Sequence, residues 1–173
     1  MTIAALEQIR SYYLELLPFN KVLGIDIDLL DYDTGDTAVS FSMKPELIGN
    51  SAAGILHGGV TAAVLDLTGG LSALISCVKY HEKESLAQLY KRMTASATID
   101  MRVDYLRPGK GDAFVCRSRI IRAGSRIVVS KLFLFFNFSR SCSKFNNIVL
   151  KGFFFSFNRN SVRLFAFINS RGC

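Results

Sequence analysis

The segment that most constrains the fold is residues 48–78, which is long, apolar and nearly free of charge. Its only ionisable side chains are His57, Asp66 and the thiol of Cys77. From residue 58 to about 76 the side chains are apolar or small, which predicts one long helix buried in a core. Burial without a partner costs roughly 2–7 kcal/mol even for a neutral polar group. Asp66 is therefore the first candidate for a functional residue.

A transmembrane span is the alternative for this segment, since about 20 apolar residues suffice to cross a bilayer. Asp66 would then lie near the centre of the bilayer, at a cost of roughly 2.5–3.5 kcal/mol. The flanking sequence also alternates in the manner of soluble strands. We therefore favour a buried helix and expect no stable membrane insertion.

The charge of the chain is unevenly distributed. Residues 1–131 contain all 14 acidic residues and 15 of the 21 basic ones, whereas residues 132–173 contain six basic residues and no acidic one. The formal net charge of +7 therefore belongs mostly to the end of the chain. Nucleic-acid binding would require a patterned basic face with interleaved aromatic side chains, so we expect no nucleic-acid partner.

The cysteines and histidines do not show the spacing of a metal site. There are four cysteines and two histidines, without a CxxC motif: Cys77, Cys116, Cys142, Cys173, His57 and His81. We therefore expect no zinc or other metal site. Scattered thiols and no recognisable signal peptide indicate a reducing cytoplasm.

The hydrophobic pattern predicts one α+β domain over residues 1–136. An N-terminal helix is expected over 1–17, strands over 22–30 and 37–43 form a hairpin, and 45–54 is a loop. A polar helical insert follows over 79–96, and further strands are expected over 97–106, 112–122 and 125–136. A long central helix wrapped by a five- to six-stranded antiparallel sheet accounts for this order.

The tail, residues 137–173, is atypical. Residues 132–173 hold 11 of the 14 phenylalanines, together with many Ser, Asn and Arg residues. One interpretation is a genuine basic and aromatic extension that adsorbs to membranes. The other, which we favour, is a sequence read out of frame; a one-base change in the coding DNA that restores an ordinary ending would establish it. Loss of the closing strand would leave an open sheet edge. We do not expect any part of residues 148–157 to take the place of that strand.

Three groups of residues resemble the small hotdog-fold acyl-CoA thioesterases, specifically the PaaI-like (phenylacetate-pathway) branch. They are the spaced set Asn50, Gly54, His57-Gly58-Gly59 and Asp66, the segment from Thr98 to Gly109 with Asp104-Tyr-Leu-Arg-Pro-Gly, and Arg122-Ala-Gly-Ser125. The insert at 79–96 is similar to the bacterial subgroup that acts on medium- and long-chain acyl-CoA. The resemblance covers about residues 15–131 and does not extend into the tail.

The resemblance implies thioester hydrolysis at a site shared by two subunits. Gly58 would begin the long helix, where free amides and the helix dipole favour negative charge, so its amide is the candidate oxyanion donor. Asp66 would be the general base or nucleophile. Because eight residues separate them, about 12 Å along a helix, one chain cannot bring both to one carbonyl. The family arrangement implies a homodimer, or a tetramer of such dimers, in which Asp66 faces the partner's glycine turn.

The resemblance also assigns expected roles to other residues. Asn50 would orient the attacking water or the carbonyl, Thr98 would hold water, and His57 would either contact the thioester or fix the turn. Gly59 is expected beside the substrate, and coenzyme A phosphates are expected near Arg107, Lys110, Arg122 and Arg126. Each role has a structural alternative: a cap for Asp66, a turn for Asn50, an ordinary strand residue for Thr98, and solvated charge for the basic residues. No cofactor is expected, since coenzyme A is part of the substrate.

Two other functions remain open at this level. A hotdog hydratase or dehydratase would use a proline-containing histidine motif, which is absent from the sequence. A non-catalytic acyl-CoA-binding protein would have no need of Asp66. A serine hydrolase is disfavoured, because the Gly-x-Ser-x-Gly motif is also absent.

Overall fold

Helix α3 (Gly58–Tyr80) is the centre of the fold, and it confirms the predicted buried helix. The computed structural model describes residues 2–137 and 153–156. Leu65, Leu71 and Ile75 of α3 are fully buried. Among the described residues α3 is the one helix long and apolar enough to cross a membrane, and 78% of its most apolar window is buried in the fold. This burial is what a core helix shows.

A six-stranded antiparallel sheet packs against α3, in the order β1-β2-β6-β7-β8-β5. Its strands are β1 (Ile25–Leu30), β2 (Thr37–Ser42), β5 (Ala97–Met101), β6 (Ala113–Ala123), β7 (Ile127–Asn137) and β8 (Phe153–Ser156). Strands β3 (Ile48–Asn50) and β4 (Ile55–Leu56) form a separate small ladder before α3. This architecture confirms the predicted α+β hotdog class.

Buried and less buried side chains alternate along the central strands, and this alternation explains why one face of the sheet covers α3. Strand β2 buries Val39 and Phe41, and β6 buries Phe114 and Cys116. The rings of Phe41 and Phe114 stack with centroids 4.9 Å apart, a geometry that adds roughly 0.5–1.5 kcal/mol to area burial. Since side chains alternate in a strand, these residues place one face of the sheet against the helix.

The N-terminal segment is more helical than the sequence predicted. Helix α1 (Thr2–Ser11) continues as a π-helical turn (Tyr12–Leu16) and is followed by α2 (Pro18–Leu23). The strand expected from residue 22 begins only at 25. Pro18 is pre-organised for the first turn of a helix, and Gly24, with φ of 67°, ends α2 in the left-handed conformation that favours glycine.

The polar insert contains α4 (Leu86–Thr94), which begins with a reciprocal capping box between Ser85 and Gln88. The strand after it is shorter than predicted, because β5 ends at Met101 rather than at 106. Residues 102–106 leave the sheet, and the Tyr105 side chain turns back to the start of α3.

Strand β8 lies inside the sheet, between β7 and β5. The expectation that residues 148–157 supply no replacement strand is therefore wrong. Aromatic residues favour pleated strands, and β7 offers a ladder to pair with at residues 127–130. The domain boundary at 136 and the out-of-frame origin of the tail stay predictions, since 138–152 and 157–173 lie outside the described residues.

Candidate active site

The start of α3 leaves one backbone amide available. His57 is the N-cap, and its Nδ1 accepts a hydrogen bond from the Gly59 amide at 2.9 Å. The amides of Val60 and Thr61 donate to the carbonyl of His57 at 3.0 and 3.1 Å. Within the described part of the chain, the Gly58 amide is thus the one in this first turn without an acceptor. Such an amide, at the positive end of a 23-residue helix, suits a developing oxyanion.

Two glycines allow the histidine cap to form. A Cβ on Gly49 would lie 2.6 Å from the Cα of His57, which is too close for any side chain. A Cβ on Gly59 would lie 2.9 Å from His57 Nδ1, so the absence of a side chain makes room for the imidazole. The structure thus gives Gly59 a local role in the cap, and its expected contact with substrate stays a prediction. The His57 amide also donates to the carbonyl of Leu47 at 2.8 Å.

The cap bond selects one tautomer of the neutral His57 ring. A nitrogen that accepts a hydrogen bond carries no proton, so the neutral ring carries its proton on Nε2. His57 is exposed to solvent. Two roles were expected for His57, contact with the thioester and fixing of the turn. The cap bond to Gly59 corresponds to the second role, and the first stays a prediction.

Tyr105 belongs to this turn, although sequence reasoning did not select it. Its hydroxyl donates to the Gly58 carbonyl at 2.9 Å. A Cβ on Gly58 would meet the Tyr105 ring at 3.4 Å, so the ring lies directly over the glycine. The signal available in the sequence was the Asp-Tyr-Leu-Arg-Pro-Gly segment, but a contact across 47 residues cannot be read from spacing alone.

Asp66 and Thr98 are in direct contact. Asp66 is half-buried in the middle of α3, and its Oδ1 accepts a hydrogen bond from the Thr98 hydroxyl at 2.6 Å. Thr98 lies on β5, which is an edge strand of the sheet formed by the described residues. The Asp66 carboxylate is therefore held through Oδ1 by the Thr98 hydroxyl of another element. Its other oxygen, Oδ2, is the atom that could contact a ligand.

A pocket of about 290 Å³ opens beside this pair. Asp66 and Thr98 line one side, and Tyr13 from the N-terminal segment lines another. Burial, and secondarily the charge of Asp66, raises the pKa of Tyr13 far above its usual range, so that its hydroxyl stays neutral. A carboxylate, a hydroxyl and a neutral phenol thus face one concave space, which is the usual form of a small-molecule site.

Gly58 and Asp66 do not meet within one chain. Both lie on the straight course of α3, eight residues and so about 12 Å apart. An attacking atom must approach within about 3–3.5 Å of the reacting carbon. Within a single chain Gly58 and Asp66 therefore lie too far apart to act on one carbonyl, and we refer to them as two candidate half-sites. That two subunits combine them stays a prediction.

Asn50 has a local partner in the structure. It is exposed, and its Oδ1 accepts a hydrogen bond from the Ala53 amide at 3.1 Å. This is the turn geometry typical of asparagine, and the turn continues into Gly54 with φ of 60°. The structure thus displays the turn alternative, while an additional contact to substrate stays a prediction.

The four basic candidates fall into two groups. Arg107 and Lys110 flank Gly109, whose carbonyl accepts from the amide of Leu56, next to the His57 cap. Arg122 and Arg126 lie at the turn between β6 and β7 and are exposed. This turn lies at the far end of β6, about 25 Å from the residues near Gly109 at the usual rise per strand residue. One chain does not gather all four.

The long buried helix and the antiparallel sheet define a hotdog-fold protein, in which the half-buried Asp66 carboxylate is the candidate functional group. The chain matches the thioesterase superfamily over residues 53–135. It is 38% identical over 128 residues to the medium/long-chain acyl-CoA thioesterase YigI of Salmonella typhimurium and to that of Escherichia coli, covering 74% of this chain and 81% of each relative. The chain therefore belongs to the thioesterase superfamily.

Solved structures agree with this assignment. A Shewanella oneidensis protein related to the thioesterase superfamily superposes with a TM-score of 0.81 at 36% identity, over 91% of this chain and 97% of that protein. The Escherichia coli PaaI protein from the phenylacetic acid degradation operon superposes with a TM-score of 0.68 at 16% identity, over 91% of this chain and 96% of that protein. At that identity the second likeness concerns the fold alone.

Proposed function

We propose that this protein hydrolyses acyl-CoA thioesters of medium to long chain to the free acid and coenzyme A. The observation that carries the proposal is the Asp66 carboxylate, held by Thr98 at the wall of a pocket. The similarity to YigI supports the substrate class, since that relative is a medium/long-chain acyl-CoA thioesterase. The proposed reaction needs no cofactor, because water supplies the nucleophile.

In this mechanism Asp66 acts as the general base. Thr98 occupies Oδ1, so Oδ2 accepts a proton from the attacking water, whose oxygen bonds to the thioester carbon. The carbonyl oxygen becomes an oxyanion and accepts a hydrogen bond from a Gly58 amide. The C–S bond then breaks, the thiolate of coenzyme A leaves, and the proton held by Asp66 is returned to it. The carboxylic acid is the second product.

The two half-sites require two subunits, so the proposal includes a homodimer with Gly58 supplied by the partner copy. Strand β5 supports this arrangement because it is one of the two edge strands among the described residues and its residues 97–100 are exposed. Edge strands carry unpaired backbone groups that can pair with another chain. Thr98 lies on this strand, so a copy docked there would bring its glycine turn towards Asp66.

The basic residues support a position for coenzyme A at the same junction. Thr98 pairs with Phe155, Phe155 with Val128, and Val128 with Ala123. The β6–β7 turn with Arg122 and Arg126 is therefore at the Asp66 end of one subunit. The partner's glycine turn would bring its own residues 107 and 110, so both groups would meet the phosphates of one coenzyme A.

The cellular location in this proposal is the cytoplasm. Cys77 and Cys116 are free, buried thiols. Reduced thiols are the usual state in the cytosol, where acyl-CoA is available to a soluble enzyme.

The test is release of free thiol from acyl-CoA esters of four to eighteen carbons by the purified full-length protein. We expect Asp66→Asn to lower kcat by roughly 10²–10⁴, the usual contribution of a general base. Asp26→Asn is the matched control, because it makes the same change at an exposed acid on β1, at the opposite edge of the sheet, and should leave the rate unchanged. Equal rates for Asp66→Asn and wild type would refute the role of Asp66. Water addition to an enoyl-CoA without thiol release would favour a hydratase instead.

A further inference from the structure

We infer that the pocket beside Asp66 takes the acyl chain of the substrate, and that the N-terminal segment 12–20 sets the longest chain that fits. The inference rests on the proposed function, since it names the part of the substrate that this space would hold. It also adds residues that no part of the mechanism above uses.

One wall of the pocket is a single face of α3. Ala63, Leu67 and Leu74 line it together with Asp66. Residues three and four apart on a helix share a face, so this apolar stripe runs along the helix on both sides of the carboxylate. A thioester carbonyl placed at Asp66 can therefore lay its hydrocarbon chain along the stripe without leaving the pocket.

The opposite wall is the N-terminal segment. Tyr12, Tyr13, Leu17 and Phe19 line the pocket there, and Asn20 anchors the segment by donating from its side chain to the carbonyl of Tyr13 at 2.9 Å. These residues lie outside 53–135, the part of the chain that matches the superfamily. None of these wall residues is Gly58 or Asp66, so a difference in chain-length preference can arise from the wall without any change in the candidate half-sites.

The lining combines apolar side chains with neutral polar groups such as Thr94 and Ser96, and its charge favours a neutral ligand over a nucleotide. Asp66 is the one ionised side chain in the described lining, and Tyr13 is held neutral by burial. Coenzyme A phosphates would be repelled by this carboxylate. An acyl chain carries no charge and gains from leaving water.

The size of the pocket indicates the length of the chain. Its volume of about 290 Å³ is roughly twice the ~150 Å³ of an apolar cavity known to hold one benzene ring. That corresponds to about twelve carbon atoms. Each buried methylene contributes enough to change a rate constant by about fourfold, so a change at the rim should alter the chain-length profile steeply.

Leu17 and Leu16 provide a matched pair of test sites. Leu17 lines the pocket, whereas its neighbour Leu16 is 60% exposed. We expect Leu17→Trp to lower kcat/KM by about fourfold for each methylene that no longer fits, with the shortest substrates unchanged. Leu17→Ala should raise kcat/KM for chains longer than the wild-type optimum, and Leu16→Trp and Leu16→Ala should leave the profile as it is.

A second readout does not depend on catalysis. Competition with a fluorescent fatty acid measures binding of dodecanoate, which should weaken in Leu17→Trp and persist in Leu16→Trp. Wild-type hydrolysis with an identical chain-length profile in all four variants would overturn the inference and leave the proposed function standing. Leu17-dependent binding of dodecanoate by a protein that releases no thiol would instead overturn the proposed function and support the pocket assignment.

Discussion

Substitution of His57 separates the two roles that the sequence left open for it. The His57→Ala variant removes the acceptor of the Gly59 amide at 2.9 Å. Loss of an N-cap costs about 1 kcal/mol, which lowers Tm by roughly 2–4 °C for a domain of this size. The same 1 kcal/mol corresponds to a factor of about five in rate if the helix start must be ordered in the transition state.

The His57→Asn variant provides the decisive comparison. Asparagine is a good N-cap, so its side chain can accept from the same amide but offers no equivalent of the ring Nε2. Because the structure displays His57 as a cap, we expect Asn to restore both the Tm and most of the kcat/KM that Ala loses. Thermal unfolding provides the Tm, and thiol release from the same preparations provides kcat/KM.

Ser85 supplies the control for a cap lost elsewhere. It caps α4, where its hydroxyl accepts from the Gln88 amide, and it has no contact with the glycine turn. Ser85→Ala should lower Tm by a similar amount and leave kcat/KM for a short acyl-CoA unchanged. If His57→Asn recovers the Tm while activity stays as low as in His57→Ala, the turn-fixing role is refuted and the ring contacts the substrate directly.

Three further outcomes follow from single contacts. Thr98→Val removes the 2.6 Å hydrogen bond to Asp66 and should lower kcat about tenfold, since hydrogen bonds to charged groups contribute about 1.5–3 kcal/mol; an unchanged kcat would contradict it. Tyr105→Phe keeps the ring over the glycine turn but loses the 2.9 Å bond, and kcat should fall a few-fold with KM unchanged. Burial raises the pKa of Cys77 to about 11 and of Cys116 to about 12, from 9.0. The folded state therefore keeps protons that the unfolded state loses, and the free energy of unfolding in urea should fall as pH rises from about 9 to 11.

The central helix and the spacing of the candidate residues along it could be predicted because they depend on local sequence pattern. An apolar run with one carboxylate indicates both a buried helix and its functional residue, and the eight-residue spacing from Gly58 to Asp66 follows from helix geometry. The Asp66–Thr98 contact joins two elements that the resemblance had already placed in the same site.

Other features depend on contacts between distant parts of the chain. Tyr105 was expected to continue a strand, but its hydroxyl has a partner at Gly58 that no periodicity reveals. Strand β8 has aromatic residues that favour strands, but its place in the sheet depends on pairing with β7, which its four residues do not reveal. Leu17 and Phe19 likewise line the pocket only because α2 packs beside α3. Pro18 and Gly24 mark where α2 begins and ends, but they do not reveal what the helix packs against.

Subunit mixing tests the shared site most directly. Asp66→Asn removes the base, and Gly58→Val places a branched side chain beside the amide that would bind the oxyanion, so each homodimer should be inactive. After unfolding and refolding of a 1:1 mixture, half of the dimers pair one variant with the other, and each of these holds one intact site out of two. The account predicts thiol release at about one quarter of the wild-type rate. A mixture that stays as inactive as its two components, with exchange verified by mass spectrometry, would show that Asp66 and Gly58 do not act across subunits.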